Sequence, residues 1–199
     1  MIAYQTTHLE DTIEKLYNQL GINSPDNFNM DEIALILGIS LHFQAFNSQL
    51  VTFRGKTSIN INSEQSPQEM WEDFGHELCH YLIQYGKQTH MAELFLKFQE
   101  YKADHFALHF CVPTFMLEQV ELPAERNQAI ALIAAKFNVT IPFAKKRLER
   151  YEQQLIGSEI NLRFIAQFEA MNLFKQQIGH DYVLEDSNNT YLVKRHRIK

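Results

Sequence analysis

The chain has 199 residues, of which 45% are apolar and 21% charged, and this balance excludes an intrinsically disordered protein. The net charge of −6 argues against nucleic acid as the main partner. Two cysteines provide no disulfide framework, and no apolar run approaches the roughly 18 residues of a membrane span. Since the first ten residues lack the basic start and apolar core of a signal peptide, we expect a cytoplasmic protein without a membrane partner.

The first 38 residues predict two helices. Apolar residues recur at helical spacing over residues 7–20, and Gly21 is a typical helix stop. A second, shorter helix follows the cap signal formed by Asn29 and Glu32, and it ends at Gly38. Neither helix carries residues that indicate chemistry, so we assign both a structural role.

Residues 39–62 predict three strands. The runs are 39–46, 50–53 and 57–62, with a turn at Arg54-Gly55-Lys56 between the second and the third. We therefore expect a three-stranded antiparallel sheet, in which each strand pairs with its neighbour in sequence. An open edge of this sheet could hold an extended peptide by strand addition, and the alternative is that the sheet only covers the helices.

The next segment contains the motif His-Glu-x-x-His at residues 76–80. On a helix, His76 and His80 lie on one face, one turn apart, so that both imidazoles can bind one metal ion. Glu77 lies about 100° further round, near enough to serve as the general base of a zinc-dependent hydrolase. A proline and a capping box mark the start of this helix: Ser66, Pro67 and Glu69.

Chance produces this motif in roughly one chain in thirty of this composition, so a third ligand is needed. The helix predicted over about residues 91–110 offers one, because its apolar residues lie on one side and Glu93, Glu100 and Asp104 on the other. If this helix packs beside the helix of the His-Glu-x-x-His motif, Glu100 would reach the metal. Asp104 would then accept a hydrogen bond from the outer nitrogen of a motif histidine. These two carboxylates can exchange roles, and Glu93 is a further option.

Several other polar residues lie near the motif. One of His90, His105 and His109 could stabilise an oxyanion, although each alone is more typical of a surface or packed histidine. Cys79, inside the motif, is expected to be a small packed residue, and the alternative is a redox-active thiol.

Residues 114–157 predict further helices, which resemble a helix-turn-helix over about 124–155 with Thr140 capping the second helix. Basic residues cluster on that second helix: Lys145, Lys146, Arg147 and Arg150. Because Glu149 and Glu152 dilute this charge, a helical hairpin that supports the motif helices is preferred over a DNA-binding element.

We expect Gly157-Ser158 to separate two parts of the chain, a domain of residues 1–157 and an extension of residues 158–199 whose role is unknown. The extension predicts an amphipathic helix over 160–178. It then predicts a hairpin of 182–185 with 190–193, joined by a four-residue loop.

Together these motifs resemble the ImmA/IrrE family of zinc metallopeptidases, over about residues 7–150. Cys79 departs from the family pattern, which usually has glycine there. The segments that carry the resemblance are Asp31-Glu32-Ile33-Ala34, Leu37-Gly38-Ile39, Arg54-Gly55-Lys56, Ile59-Asn60-Ile61-Asn62, His76-Glu77-Leu78-Cys79-His80, residues 100–107 and Val112-Pro113.

The resemblance implies one Zn²⁺ ion held by His76, His80 and Glu100, with Glu77 as the catalytic base and Asp104 supporting a ligand histidine. The fold we expect is α+β and mostly helical, with the small sheet beside the motif helix. The implied activity is a metalloendopeptidase that cleaves a helix-turn-helix repressor of a phage or mobile element. Two alternatives stay open: an antirepressor that binds without cutting, and a DNA-binding regulator that uses residues 130–150.

Overall fold

The computed structural model describes residues 4–83, 93–177, 182–185 and 190–193. By its internal contacts the chain forms two compact units, one of Thr6–Tyr151 and the other of Met1–Gln5 with Glu152–Lys199. The expected α+β class is confirmed, since helices predominate and a small sheet accompanies them. In the described part of the chain, no helix has the length and apolar character that crossing a bilayer requires.

The elements follow one another largely as the sequence predicts. The helices are α1 (His8–Leu20), α2 (Met30–Ile36), α3 (Pro67–Ile83), α4 (Glu93–Cys111), α5 (Thr114–Leu117), α6 (Arg126–Phe137) and α7 (Ile141–Gln177), with a single 3₁₀ turn at Pro25–Asn27. The strands are β1 (Ser40–Gln44), β2 (Gln49–Phe53), β3 (Lys56–Asn62), β4 (Tyr182–Glu185) and β5 (Thr190–Val193).

Side-chain caps fix the helix ends that the sequence predicts. The Thr7 hydroxyl accepts the Glu10 N–H, and the Glu10 carboxylate accepts the Thr7 N–H, which is a complete capping box at the start of α1. Gly21 ends this helix with a φ of 72°. Ser66 and Glu69 form the same reciprocal pair before α3.

The sheet differs from the antiparallel arrangement predicted. Its strand order is β1-β3-β2, with β1 parallel to β3 and β2 antiparallel to β3. β3 is the central strand and pairs on both sides. Its residues Ile59 and Ile61 are fully buried, as is typical of a central strand. The alternation of apolar and polar residues shows which residues share a face of the sheet, but it does not determine which strands pair with each other.

The connection between β1 and β2 makes this order possible. Residues 45–48 must span two strand spacings, roughly 10 Å, which four extended residues can cover. They pass the end of β3, where the Asn62 N–H donates to the Ser48 hydroxyl at 3.0 Å. The tight turn lies instead between β2 and β3, where Arg54 and Gly55 both have positive φ, as a two-residue hairpin requires.

A second difference concerns the break expected at Gly157-Ser158. Helix α7 continues through both residues, and the Ser158 hydroxyl donates to the carbonyl of Gln154 one turn earlier. One glycine within a helix costs only about 1 kcal/mol, which its neighbours readily offset. The boundary between the domain and its extension stays a prediction.

Other local predictions are confirmed. Asn138, in the left-handed conformation, ends α6, and the Thr140 hydroxyl caps the start of α7 by accepting the Phe143 N–H. β4 and β5 pair antiparallel, with Glu185 opposite Thr190, while their four-residue loop lies outside the described residues.

A buried polar cluster joins α1 to the later helices of the first unit. The side chain of Arg147 has no exposed surface, and it donates to the carbonyl of Val112 and to the Thr114 hydroxyl. Thr114 in turn donates to the Glu10 carboxylate, which also lies 3.5 Å from His109 Nδ1. Burial, reinforced by the charge of Arg147, lowers the pKa of His109 to about 3, so this imidazole is neutral at pH 7.

Helices α3 and α4 approach closely at Gly75. A Cβ atom at this position would lie 2.8 Å from Cys111 Sγ and 3.2 Å from a ring carbon of Phe110. Phe74, the residue before it, and Leu78, three residues after it, are fully buried. Gly75 therefore sets how near the two helices can come.

We predict that Gly75→Ala destabilises the protein. The added methyl group overpacks this contact at a cost of about 1–3 kcal/mol, which the better helix propensity of alanine offsets by only about 1 kcal/mol. Gly157→Ala is the matched control, because a Cβ there meets nothing within 4 Å. We expect the control to be neutral or stabilising in urea denaturation, and equal stabilisation by both substitutions would contradict the close approach.

Candidate metal centre

Three side chains from α3 and α4 converge on one point. Two distances from His76 Nε2 describe it, 3.1 Å to His80 Nε2 and 3.2 Å to Glu100 Oε2. His80 Nε2 lies 3.8 Å from the same carboxylate oxygen. The two histidines come from successive turns of α3, as their spacing predicts, and Glu100 is brought in by the packing of α4.

These separations fit a zinc ion. With ligand bonds of about 2.0–2.1 Å and tetrahedral angles, two ligand atoms lie about 3.3–3.4 Å apart. The observed values of 3.1, 3.2 and 3.8 Å lie on both sides of that figure. Among the histidine, cysteine, aspartate and glutamate side chains of the described residues, these three have ligand atoms close enough together to share one metal ion.

The hydrogen bond on the outer side of His76 supports the same assignment. His76 Nδ1 lies 3.0 Å from Asp104 Oδ1, and in the tautomer with the proton on Nδ1 this nitrogen donates to the carboxylate. In that tautomer the lone pair of Nε2 faces the Glu100 carboxylate, which is also an acceptor. A metal ion between these two acceptors would satisfy both, so the donor set fits zinc.

Glu77 lies beside this trio and is largely buried. Its Oε2 accepts the backbone N–H of Leu50 in β2 at 2.7 Å. Burial raises the pKa of Glu77, and the charge of Asp73 adds to the increase. His80 and His76 oppose the increase, as does the Leu50 hydrogen bond. A carboxyl group with a raised pKa is suited to accepting a proton and releasing it again near neutral pH.

The centre opens on both sides into a cleft. The cavity on the sheet side has polar walls, formed by Asn47, Ser48, Asn62, Gln65, Asp73, His76, Glu77 and Asp104. The cavity on the side of α7 combines apolar and charged walls, formed by Glu72, Asp73, His76, Asp104, Ala107, Leu108, Phe143 and Lys146. Asp73, His76 and Asp104 line both cavities.

The remaining candidates from the sequence lie elsewhere. Glu93 pairs with Lys97 at the exposed start of α4 and does not belong to the metal-binding group. His105 stacks on Tyr101, His109 lies beside Glu10, and neither lines the cleft. His90 lies outside the described residues.

Cys79 is a packed residue, as expected. It is buried, and its sulfur lies 3.8 Å from the carbonyl of Lys102 on α4. The small thiol thus fills the contact between the two helices at the position where the family pattern has glycine.

Two features of the site have weak sequence signals. The Leu50 N–H is a backbone group, and only the tertiary position of β2 brings it to Glu77. Asp73 could have been identified, because it lies three residues before His76 and therefore on the same helical face.

Comparison with known proteins identifies similar domains. Residues 34–149 match the model of a peptidase family, Peptidase_M78, described as the IrrE N-terminal-like domain. The phage-like element PBSX protein XkdA of Bacillus subtilis (strain 168) is 48% identical over 157 residues, which cover 79% of each chain. YqaB, an uncharacterized protein of the same organism, is 37% identical over 154 residues, or 77% of this chain and 90% of YqaB.

Among solved structures, a Mycobacterium tuberculosis transcriptional regulator superposes with a TM-score of 0.53 at 14% sequence identity. The superposition covers 71% of this chain and 56% of the regulator, so this chain spans little more than half of that protein. At this identity the likeness supports the fold alone.

We predict that Asp104→Asn weakens zinc binding by about 10–100-fold, because the amide no longer holds Nδ1–H of His76 as a carboxylate does. The measurement is zinc affinity by competition with a chelator. Glu93→Gln, which removes a carboxylate from the same helix outside the centre, should bind zinc as the wild type does. Wild-type affinity in Asp104→Asn would contradict the supporting role of Asp104.

Proposed function

The chain belongs to the peptidase family of the IrrE N-terminal-like domain, and on this premise we propose that it is a zinc-dependent endopeptidase. We propose further that it cleaves a helix-turn-helix repressor of a phage or mobile element and thereby relieves repression. The observation that carries the proposal is the convergence of His76, His80 and Glu100, with Glu77 held beside them.

The chemistry is divided between the ion and the protein. When bound, zinc would supply Lewis acidity toward the scissile carbonyl and lower the pKa of water. Glu77 would take the proton of the attacking water and later give it to the leaving amine. Since Oε2 of Glu77 accepts the Leu50 N–H, the proton would be held at Oε1. Asp104 fixes the ring of His76 in the orientation that directs Nε2 to the centre.

The sheet offers a place for an extended peptide. β2 is an outer strand, and its register with β3 places Leu50 and Thr52 in non-hydrogen-bonded positions. The backbone groups of these two residues therefore point to the open edge. The Leu50 N–H reaches Glu77, so a peptide that pairs with this edge would run past the catalytic carboxylate. This arrangement favours a peptide as the substrate.

The similar proteins support the context of the proposal. XkdA is named as a protein of a phage-like element, and about half of its aligned residues are identical in this chain. A peptidase encoded by such an element has an obvious target in the repressor that silences the element. Cleavage of the repressor would separate its DNA-binding part from the remainder and reduce its affinity for paired operator half-sites.

The site favours cleavage over two alternatives. An antirepressor that only binds would not need Glu77 held at 2.7 Å by a backbone N–H beside a metal-binding trio. A DNA-binding role for residues 130–150 loses support because Arg147, a member of their basic cluster, lies in the core.

We predict that Glu77→Gln abolishes cleavage while zinc binding is kept. Loss of the general base should lower the rate at least about 100-fold. The test incubates the purified protein and zinc with the repressor encoded in the same element, and follows cleavage by mass spectrometry. Derepression in cells is measured in parallel. An intact repressor after incubation with the wild type would contradict the proposal, and full derepression by Glu77→Gln would favour the antirepressor.

A further inference from the structure

Four carboxylates line the cleft around the metal centre, and three of them have partners. Glu72 accepts the backbone N–H of Thr140 at 2.6 Å. Glu77 and Asp104 are bound, as described, to the Leu50 N–H and to His76. Each of these contacts occupies one oxygen of its carboxylate and has a structural or catalytic use.

Asp73 is the fourth of these carboxylates. It forms no hydrogen bond or ion pair with any residue that the structure describes, although it is partly buried. It borders both cavities of the cleft, next to His76. A carboxylate at a cavity wall can accept charge-assisted hydrogen bonds from a bound cationic group.

The lining of the cavity on the side of α7 is partly apolar and partly acidic. Ala107 and Leu108, which are buried, and Phe143 form its apolar wall, and its carboxylates are those of Glu72, Asp73 and Asp104. An arginine or lysine side chain combines an aliphatic stem with a charged head, and it matches such a wall with a carboxylate beside it. Lys146 also lines this cavity, but it lies beyond ion-pair distance of every carboxylate among the described residues.

We propose that Asp73 is a specificity-determining residue, which binds a basic side chain of the substrate close to the scissile bond. The proposal rests on the proposed peptidase function. Charge complementarity favours a basic side chain as the occupant, because the cavity is lined by three carboxylates, those of Glu72, Asp73 and Asp104, and by one ammonium group, that of Lys146. A neutral apolar residue of the substrate would pack against the apolar wall but would leave Asp73 without a partner.

The first test is a cleavage profile. A library of peptides from a digested proteome is incubated with the zinc-loaded wild type, with Asp73→Asn and with Asp31→Asn, an exposed matched control on α2. We expect arginine and lysine to be enriched at one position flanking the cut for the wild type and the control. The enrichment should disappear for Asp73→Asn. Cleavage without a basic preference, or the same preference in Asp73→Asn, would overturn the proposal.

The second test measures binding without cleavage. The probes are a fluorescein-labelled alanine hexapeptide with one central arginine and the same peptide with norleucine in its place. Both are titrated against Glu77→Gln and against the double variant Glu77→Gln/Asp73→Asn, and fluorescence anisotropy is recorded. We expect the arginine probe to bind about fivefold more tightly to the single variant, with the difference lost in the double variant.

The two tests separate this proposal from the proposed function. If no peptide is cut but the arginine probe still binds more tightly through Asp73, the specificity assignment stands and the peptidase function fails. If peptides are cut and both probes bind alike, the peptidase function stands and the assignment of Asp73 fails.

Discussion

The contact between α3 and α4 at Gly75 is the constraint from which the site follows. A side chain at this position would meet the Cys111 sulfur, so the absence of one lets the two helices pack closely. At this separation a carboxylate on α4 reaches the histidines of α3, and one turn later a second carboxylate reaches the outer nitrogen of His76. The arrangement of the three candidate metal ligands therefore follows from the packing of the two helices.

The sheet completes the centre through a single backbone group. β3 packs its buried isoleucines against the core, and β2 pairs with its outer side. This places the Leu50 N–H against Glu77, where it holds one carboxylate oxygen while burial raises the pKa of the group. Among the described residues no further strand pairs with β2, so in the proposed function this one strand would both orient the base and offer an edge to an extended peptide.

Much of this arrangement could be predicted from local sequence. The capping pair at Ser66, the helical spacing of His76 and His80, and the Thr140 cap of α7 are short-range features, and the structure has them as expected. The order of the strands could not be predicted, because alternation is the same for β1 beside β2 and for β1 beside β3. The sequence does not predict that α7 continues through Gly157-Ser158, because glycine followed by serine is common at helix ends. A glycine within a helix costs only about 1 kcal/mol, and the contacts of the neighbouring residues, which the sequence does not show, offset this cost.

A crystal structure of the zinc-loaded protein, with anomalous scattering recorded at the zinc edge, would test the proposed metal centre. We expect one anomalous peak within about 2.0–2.2 Å of His76 Nε2, His80 Nε2 and a Glu100 oxygen. We also expect Asp104 to stay bound to the outer nitrogen of His76. A peak elsewhere, or a Glu100 side chain turned away from the two imidazoles, would rule out this metal centre.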